Sequence, residues 1–172
     1  MPNLKTEIAQ TPPFSSPEEE ALLNVMRTAD LLHREFHRRA RDWGITSTQY
    51  NVLRILRGAQ PHGLPCAAIG DRMITAEPDI TRLLARLKAL KLIRQQRDKQ
   101  DRRAVWTLIS PAGLALLSEM DPVILKVPKE LLGHLKAQEL TELIRLLELA
   151  RNTEEDPRAP VSCTGGHGEQ PC

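Results

Sequence analysis

The chain has 172 residues, of which 41 % are hydrophobic but only 3 % aromatic, so it can bury one domain-sized core that must be aliphatic and rich in leucine. A formal charge of +2 excludes no partner. No stretch approaches the roughly 20 apolar residues that span a bilayer, and the acidic opening MPNLKTEIAQTPPFSSPEEE lacks the apolar stretch of a signal peptide. Three cysteines, Cys66, Cys163 and Cys172, make neither a disulfide framework nor a zinc spacing. These features lead to the expectation of a cytoplasmic protein without a membrane partner.

Residues 1–16, with three prolines and a serine pair, read as a disordered arm, and residues 153–172 as a disordered tail with almost nothing to bury. The folded part is expected over 17–152. A first long helix is predicted over 17–43: Pro17 suits a first turn, Glu18, Glu19 and Glu20 favour the positive end of the helix dipole, and Leu22, Met26, Ala29, Leu32, Phe36, Ala40 and Trp43 recur at helical spacing. Gly44 ends it. Thr46 with Gln49 forms a capping box for a second helix carrying Tyr50, Leu53 and Leu56. A short third helix is predicted from Pro65 to Met73, and a fourth from Thr75 to Leu90 with Pro78 in its first turn. Two β-rich runs, 92–98 and 103–109, flank a charged tip and read as a hairpin. Ser110-Pro111 opens a fifth helix that Pro122 and Pro128 must kink or divide. A sixth helix covers 137–152.

Helix, short helix, helix and hairpin, in that order, make a helix-turn-helix followed by a wing. On a wheel of about 100° per residue, Ile80, Leu83, Leu84, Leu87 and Leu90 form an inward stripe on the fourth helix. Pro78, Thr81, Arg82, Ala85 and Ala89 lie opposite, with Arg86 on the flank. Small alanines allow close approach within a major groove about 12 Å wide, while threonine and proline can touch a thymine methyl and arginine can fork onto guanine or phosphate. The hairpin tip carries Asp101, Arg102 and Arg103, and an arginine on a thin hairpin suits the negative potential of a narrow minor groove. Between Arg72 and Arg103 there are ten Lys and Arg against four acids, a basic concentration of the kind a polyanion attracts. An ordinary amphipathic surface helix and a solvated charged turn are the plain alternatives. The chain has no phosphate-binding loop, serine-hydrolase elbow, zinc-protease motif or glycine-rich dinucleotide turn, so no enzyme is expected.

From Leu22 to Asn152 the chain resembles the MarR (multiple antibiotic resistance regulator) family of bacterial transcription factors. The wing motif Asp101-x-Arg103 is followed by Val105, Leu108, Ser110 and Gly113, where the family has D-x-R, an aliphatic strand and T-x-x-G. ITSTQYNVLRIL (45–56) and ITRLLARLKALKLIRQQ (80–96) are similar to the family's second and recognition helices. Lys91 stands where the family usually has glycine, and the two prolines fall in a helix that is normally continuous.

The resemblance implies a mainly α fold with a small β-hairpin wing: a winged helix-turn-helix lobe (46–110) flanked by dimerisation helices (17–43 and 111–152). It implies a homodimer that binds double-stranded DNA at a pseudo-palindromic operator in the nucleoid. Such a dimer usually acts as a repressor and is released by a small phenolic or other aromatic effector. Carried onto this chain, it puts Asp101 and Arg103 in the wing pair, with Arg103 in the minor groove. Pro78, Thr81, Arg82 and Arg86 become readers, and Arg72 and Arg102 phosphate contacts. His33, His37, Trp43 and Tyr50 are the distinctive residues that could border the effector cleft. His33 and His37 also have a spacing that can hold a metal, but no carboxylates or cysteines accompany them, and neither a metal nor a cofactor is assigned. The alternatives are a redox-responsive regulator acting through a cysteine such as Cys66, and a winged-helix protein-interaction module without DNA binding.

Overall fold

The computed structural model describes residues 3–97 and 105–152. Among these residues, eight helices and three strands run in the order α1 (Leu4–Glu7), α2 (Pro17–Arg41), α3 (Ser47–Gly58), β1 (Leu64–Pro65), α4 (Cys66–Gly70), α5 (Ile80–Ala89), β2 (Ile93–Arg97), β3 (Val105–Ile109), α6 (Pro111–Ile124), α7 (Val127–Leu132) and α8 (Ala137–Arg151). The chain divides into two compact units, Met1–Leu131 and Leu132–Cys172.

In the first unit, α3 is the central beam, packed on α2, α6 and β3. Its Tyr50, Val52, Leu53 and Leu56 are all at most 1 % exposed, and Leu84, Leu87, Leu117 and Met120 close the same core. The capping box forms as expected. Thr46 Oγ1 accepts the Gln49 N–H at 3.1 Å and Gln49 Oε1 accepts the Thr46 N–H at 2.9 Å. Ser16 caps α2 by accepting the Glu19 N–H, and Pro17 occupies its first turn.

The hairpin pairs β2 and β3 antiparallel from Ile93↔Ile109 to Arg97↔Val105. A third strand that the sequence pattern does not announce, β1, pairs on the other side of β3 with Leu64 opposite Thr107. Two residues are too few for any alternation to register. Pro65 consequently ends a strand and precedes α4 rather than opening the helix, and α4 stops at Gly70 instead of Met73. Gly63 makes the approach possible: its φ is +77°, and a Cβ there would lie 2.5 Å from Thr107 O.

Other boundaries differ for identifiable reasons. The segment read as a loose arm contains the single turn α1, capped by Asn3, with Leu4 buried and Glu7 3.8 Å from Arg27. The fourth predicted helix begins not at Thr75 but at Ile80, because Asp79 is its cap and its Oδ1 accepts the Arg82 N–H at 2.9 Å. Pro78 therefore precedes the helix and is not in its first turn. Pro122 is held inside α6, and the division falls at Leu125–Lys126, just before Pro128 in α7. In the second unit α8 buries none of its residues; Ile144, Leu146 and Leu149 stand exposed. No helix among the described residues is long and apolar enough to cross a membrane.

Candidate nucleic-acid interface and effector cavity

Helix α5 is built with two unlike faces. Leu83, Leu84 and Leu87 are buried and Ile80 is half-buried, which anchors the helix to the core. Leu90 departs from the expected inward stripe: it is the C-cap and is half exposed. Thr81, Arg82, Ala85, Arg86 and Ala89 are all exposed, as are Pro78 just before the helix and Arg72 in the turn after α4. Among the described residues, no ion pair engages Arg72, Arg82 or Arg86, so their guanidinium groups are available to an anion. The wing residues Asp101, Arg102 and Arg103 lie outside the described residues, as do Cys163 and Cys172.

The junction between α5 and the hairpin sets where the wing starts. The Leu92 N–H donates to Leu87 O at 3.0 Å and the Lys91 N–H to Lys88 O at 2.9 Å, the paired bonds of a Schellman C-cap. That motif needs a left-handed residue at its turn, and Lys91 supplies it with φ 59°. The backbone turn is thus kept although its residue is not glycine. Ser110 clamps the junction from the other side: its Oγ donates to Lys91 O at 2.7 Å and accepts the Gly113 N–H at 3.0 Å. Both bonds need only a hydroxyl, so serine in place of threonine changes neither.

Beside α3 the first unit holds a cavity of about 530 Å³. Ala29, His33 and Phe36 contribute from α2, and Tyr50, Asn51 and Arg54 from α3; Ile74 and Thr75, on the segment leading to α5, complete the rim. The Phe36 and Tyr50 rings meet at 5.6 Å, and the Arg54 guanidinium lies 5.9 Å over the Tyr50 ring. Burial pushes the Tyr50 phenol above its ordinary pKa, with Arg54 opposing the shift. Its hydroxyl is buried and has no hydrogen-bond partner among the described residues.

Of the four residues singled out for an effector cleft, His33 and Tyr50 border this cavity. His37 does not; it lies in a neighbouring groove with Arg34, Arg38 and Arg41, its Nδ1 3.3 Å from Ser47 Oγ. Trp43 packs half-buried against the core. The His33 and His37 rings stack at 6.2 Å, and among the described residues no three His, Cys, Asp or Glu side chains gather as metal ligands. Asn51, Arg54 and Ile74 escaped the sequence reading. Nothing in a linear pattern announces that a loop residue 23 positions on returns to the side of α3.

A sequence profile of the MarR family matches residues 43–104. The structure of a MarR transcription factor from Planctomyces limnophilus is 39 % identical, with a TM-score of 0.61, and the match covers 80 % of this chain and 99 % of that one. A structure of BpsR from Bordetella bronchiseptica, concerned with regulation of its DNA binding by 6-hydroxynicotinic acid, is 26 % identical, with a TM-score of 0.67 over 77 % of this chain and 98 % of that one. The transcriptional repressor NicR of Pseudomonas putida is 28 % identical over 155 residues, 88 % of this chain and 97 % of the relative. Fold, two-faced helix and relatives agree: the chain belongs to the MarR family, whose members are DNA-binding transcription regulators and not enzymes.

Proposed function

We propose that the protein is a dimeric repressor that acts on chromosomal DNA in the cytoplasm and is released from a pseudo-palindromic operator by a small aromatic effector. The observation that carries this reading is the face of α5, where Thr81, Arg82, Ala85, Arg86 and Ala89 are exposed on a helix whose other side is locked into the core. Such a helix is slim enough for the major groove, with arginines for guanine or phosphate and Thr81 for a thymine methyl. Pro78 stands at its leading end, Arg72 and Arg102 serve as phosphate contacts, and Arg103, positioned by Asp101, enters the minor groove. The lobe 46–110 reads DNA, while 17–43 and 111–152 dimerise.

Dimerisation is supported by α2. The stripe that packs Phe36 and Ala40 on the core continues toward its N-terminus as Leu22, Val25 and Met26, which are 60, 47 and 59 % exposed. An apolar stripe of this kind favours a partner, and a two-fold dimer matches a palindromic site. The cavity supports an aromatic effector through its Phe36 and Tyr50 walls, and Arg54 suits an acidic substituent. BpsR responds to 6-hydroxynicotinic acid, which makes that acid a sensible first probe.

Selection of duplexes from a random pool, followed by titration of the selected site, tests the reading. The expected result is salt-sensitive binding of one palindromic sequence, weakened by addition of an aromatic acid. Absence of any selected sequence would favour a protein-interaction module instead.

A further inference from the structure

A hydrogen bond ties the wall of the cavity to the segment that leads into the DNA-facing helix. Asn51 lines the cavity from α3, and its Oδ1 accepts the backbone N–H of Ile74 at 3.2 Å. Ile74 and Thr75 form the rim on the other side, and the Ile74 side chain is 83 % exposed, so nothing in the core holds it. From Thr75 to Asp79 no backbone N–H among the described residues finds a protein acceptor. The next fixed point is the Asp79 carboxylate, which caps α5 at the Arg82 N–H. The path from cavity to reader is therefore a short segment with few bonds: Met73, packed on the core and donating to Gly70 O at 3.1 Å, leads into it, Asn51 holds its first residue, and the helix cap holds the far end. A segment with so few bonds takes its position from its pins.

We infer that Asn51 is a positioning residue for DNA recognition. Its side-chain carbonyl fixes the start of the segment that carries α5, and a molecule filling the cavity acts on DNA binding by displacing that bond. This rests on the proposed reading of α5 as the DNA reader. Equal affinity of an occupant for the pinned and released states would produce no effect; competition for the Asn51 amide, or a push on Ile74, supplies the required difference.

The experiment uses the full chain, with amide hydrogen exchange and titration of the duplex that the parent selects. Asn51→Ala should speed exchange at Ile74 about tenfold and weaken DNA binding about tenfold, leaving amides within α3 at parent rates. Asn51→Asp keeps the acceptor and should keep Ile74 slow, which a purely packing role of Asn51 would not require. Ile74→Pro deletes the donor instead and should lose affinity as Asn51→Ala does, so the question stays decidable if one variant folds poorly. Ala29→Phe, which fills the cavity from α2 without a ligand, should loosen Ile74 and weaken DNA binding in the parent but add nothing in the Asn51→Ala background. Parent-like DNA binding by Asn51→Ala overturns the positioning role and leaves the DNA-binding reading intact. Parent-like behaviour of Ala29→Phe overturns the coupling to the cavity. A parent that selects no DNA overturns the functional reading and the positioning role with it, while exchange at Ile74 still reports on the bond.

Discussion

Two residues around the start of the wing show how single positions hold the winged-helix lobe in shape. Gly113 sits on α6 where a Cβ would come 2.3 Å from Leu92 O and 2.8 Å from Ile109 Cγ1. The first of these is backbone and cannot step aside. Gly113→Ala should therefore destabilise the protein by about 3 kcal/mol, measured as a lower urea midpoint at unchanged slope. Lys91 is the opposite case. It holds φ 59° with a side chain that disfavours that region. Lys91→Gly should stabilise by roughly 0.5–1 kcal/mol, the relief of strain being partly offset by the greater freedom of glycine in the unfolded chain. A lower melting temperature for that variant would mean that the Lys91 side chain makes contacts outweighing its backbone strain.

At the scale of elements, α5 depends on its cap. Asp79 satisfies the Arg82 N–H, and its loss should destabilise the first turn by about 1 kcal/mol. Because Thr81 and Arg82 lie in that turn, Asp79→Ala should also weaken DNA binding several-fold, read by titration of the selected duplex, with circular dichroism showing the rest of the helix content retained. The inward stripe of α5 was legible in the sequence because Leu83, Leu84 and Leu87 recur at helical spacing, and the α3 cap because Thr46 and Gln49 stand three apart. The start of α5 was not, because Asp79 could equally be a first-turn acid after Pro78; only its bond to the Arg82 amide decides. Strand β1 escaped because its whole signal is the pairing of Leu64 with Thr107, 43 residues away. The same holds for the cavity. His33 and Tyr50 stood out by residue type, whereas Asn51 and Ile74 gain meaning only through the fold that joins them.

For the whole molecule, the proposed mode of DNA binding calls for two copies. The exposed Leu22, Val25 and Met26 of α2 extend a stripe whose other half is already packed. Met26→Asp would place a charge in the proposed dimer contact, and sedimentation should show a shift from dimer toward monomer together with weaker DNA binding. A parent that sediments as a monomer at micromolar concentration would contradict the dimer. Whether α5 reads DNA is decided by titrating the selected duplex with parent, Arg82→Ala and Arg86→Ala proteins over a range of salt. The parent should bind tightly, loss of a base-reading arginine should cost about 1–3 kcal/mol, and the salt slope should be shallower by about one where the arginine meets a phosphate. Parent-like affinity and salt slope in both variants would contradict the reading role of α5.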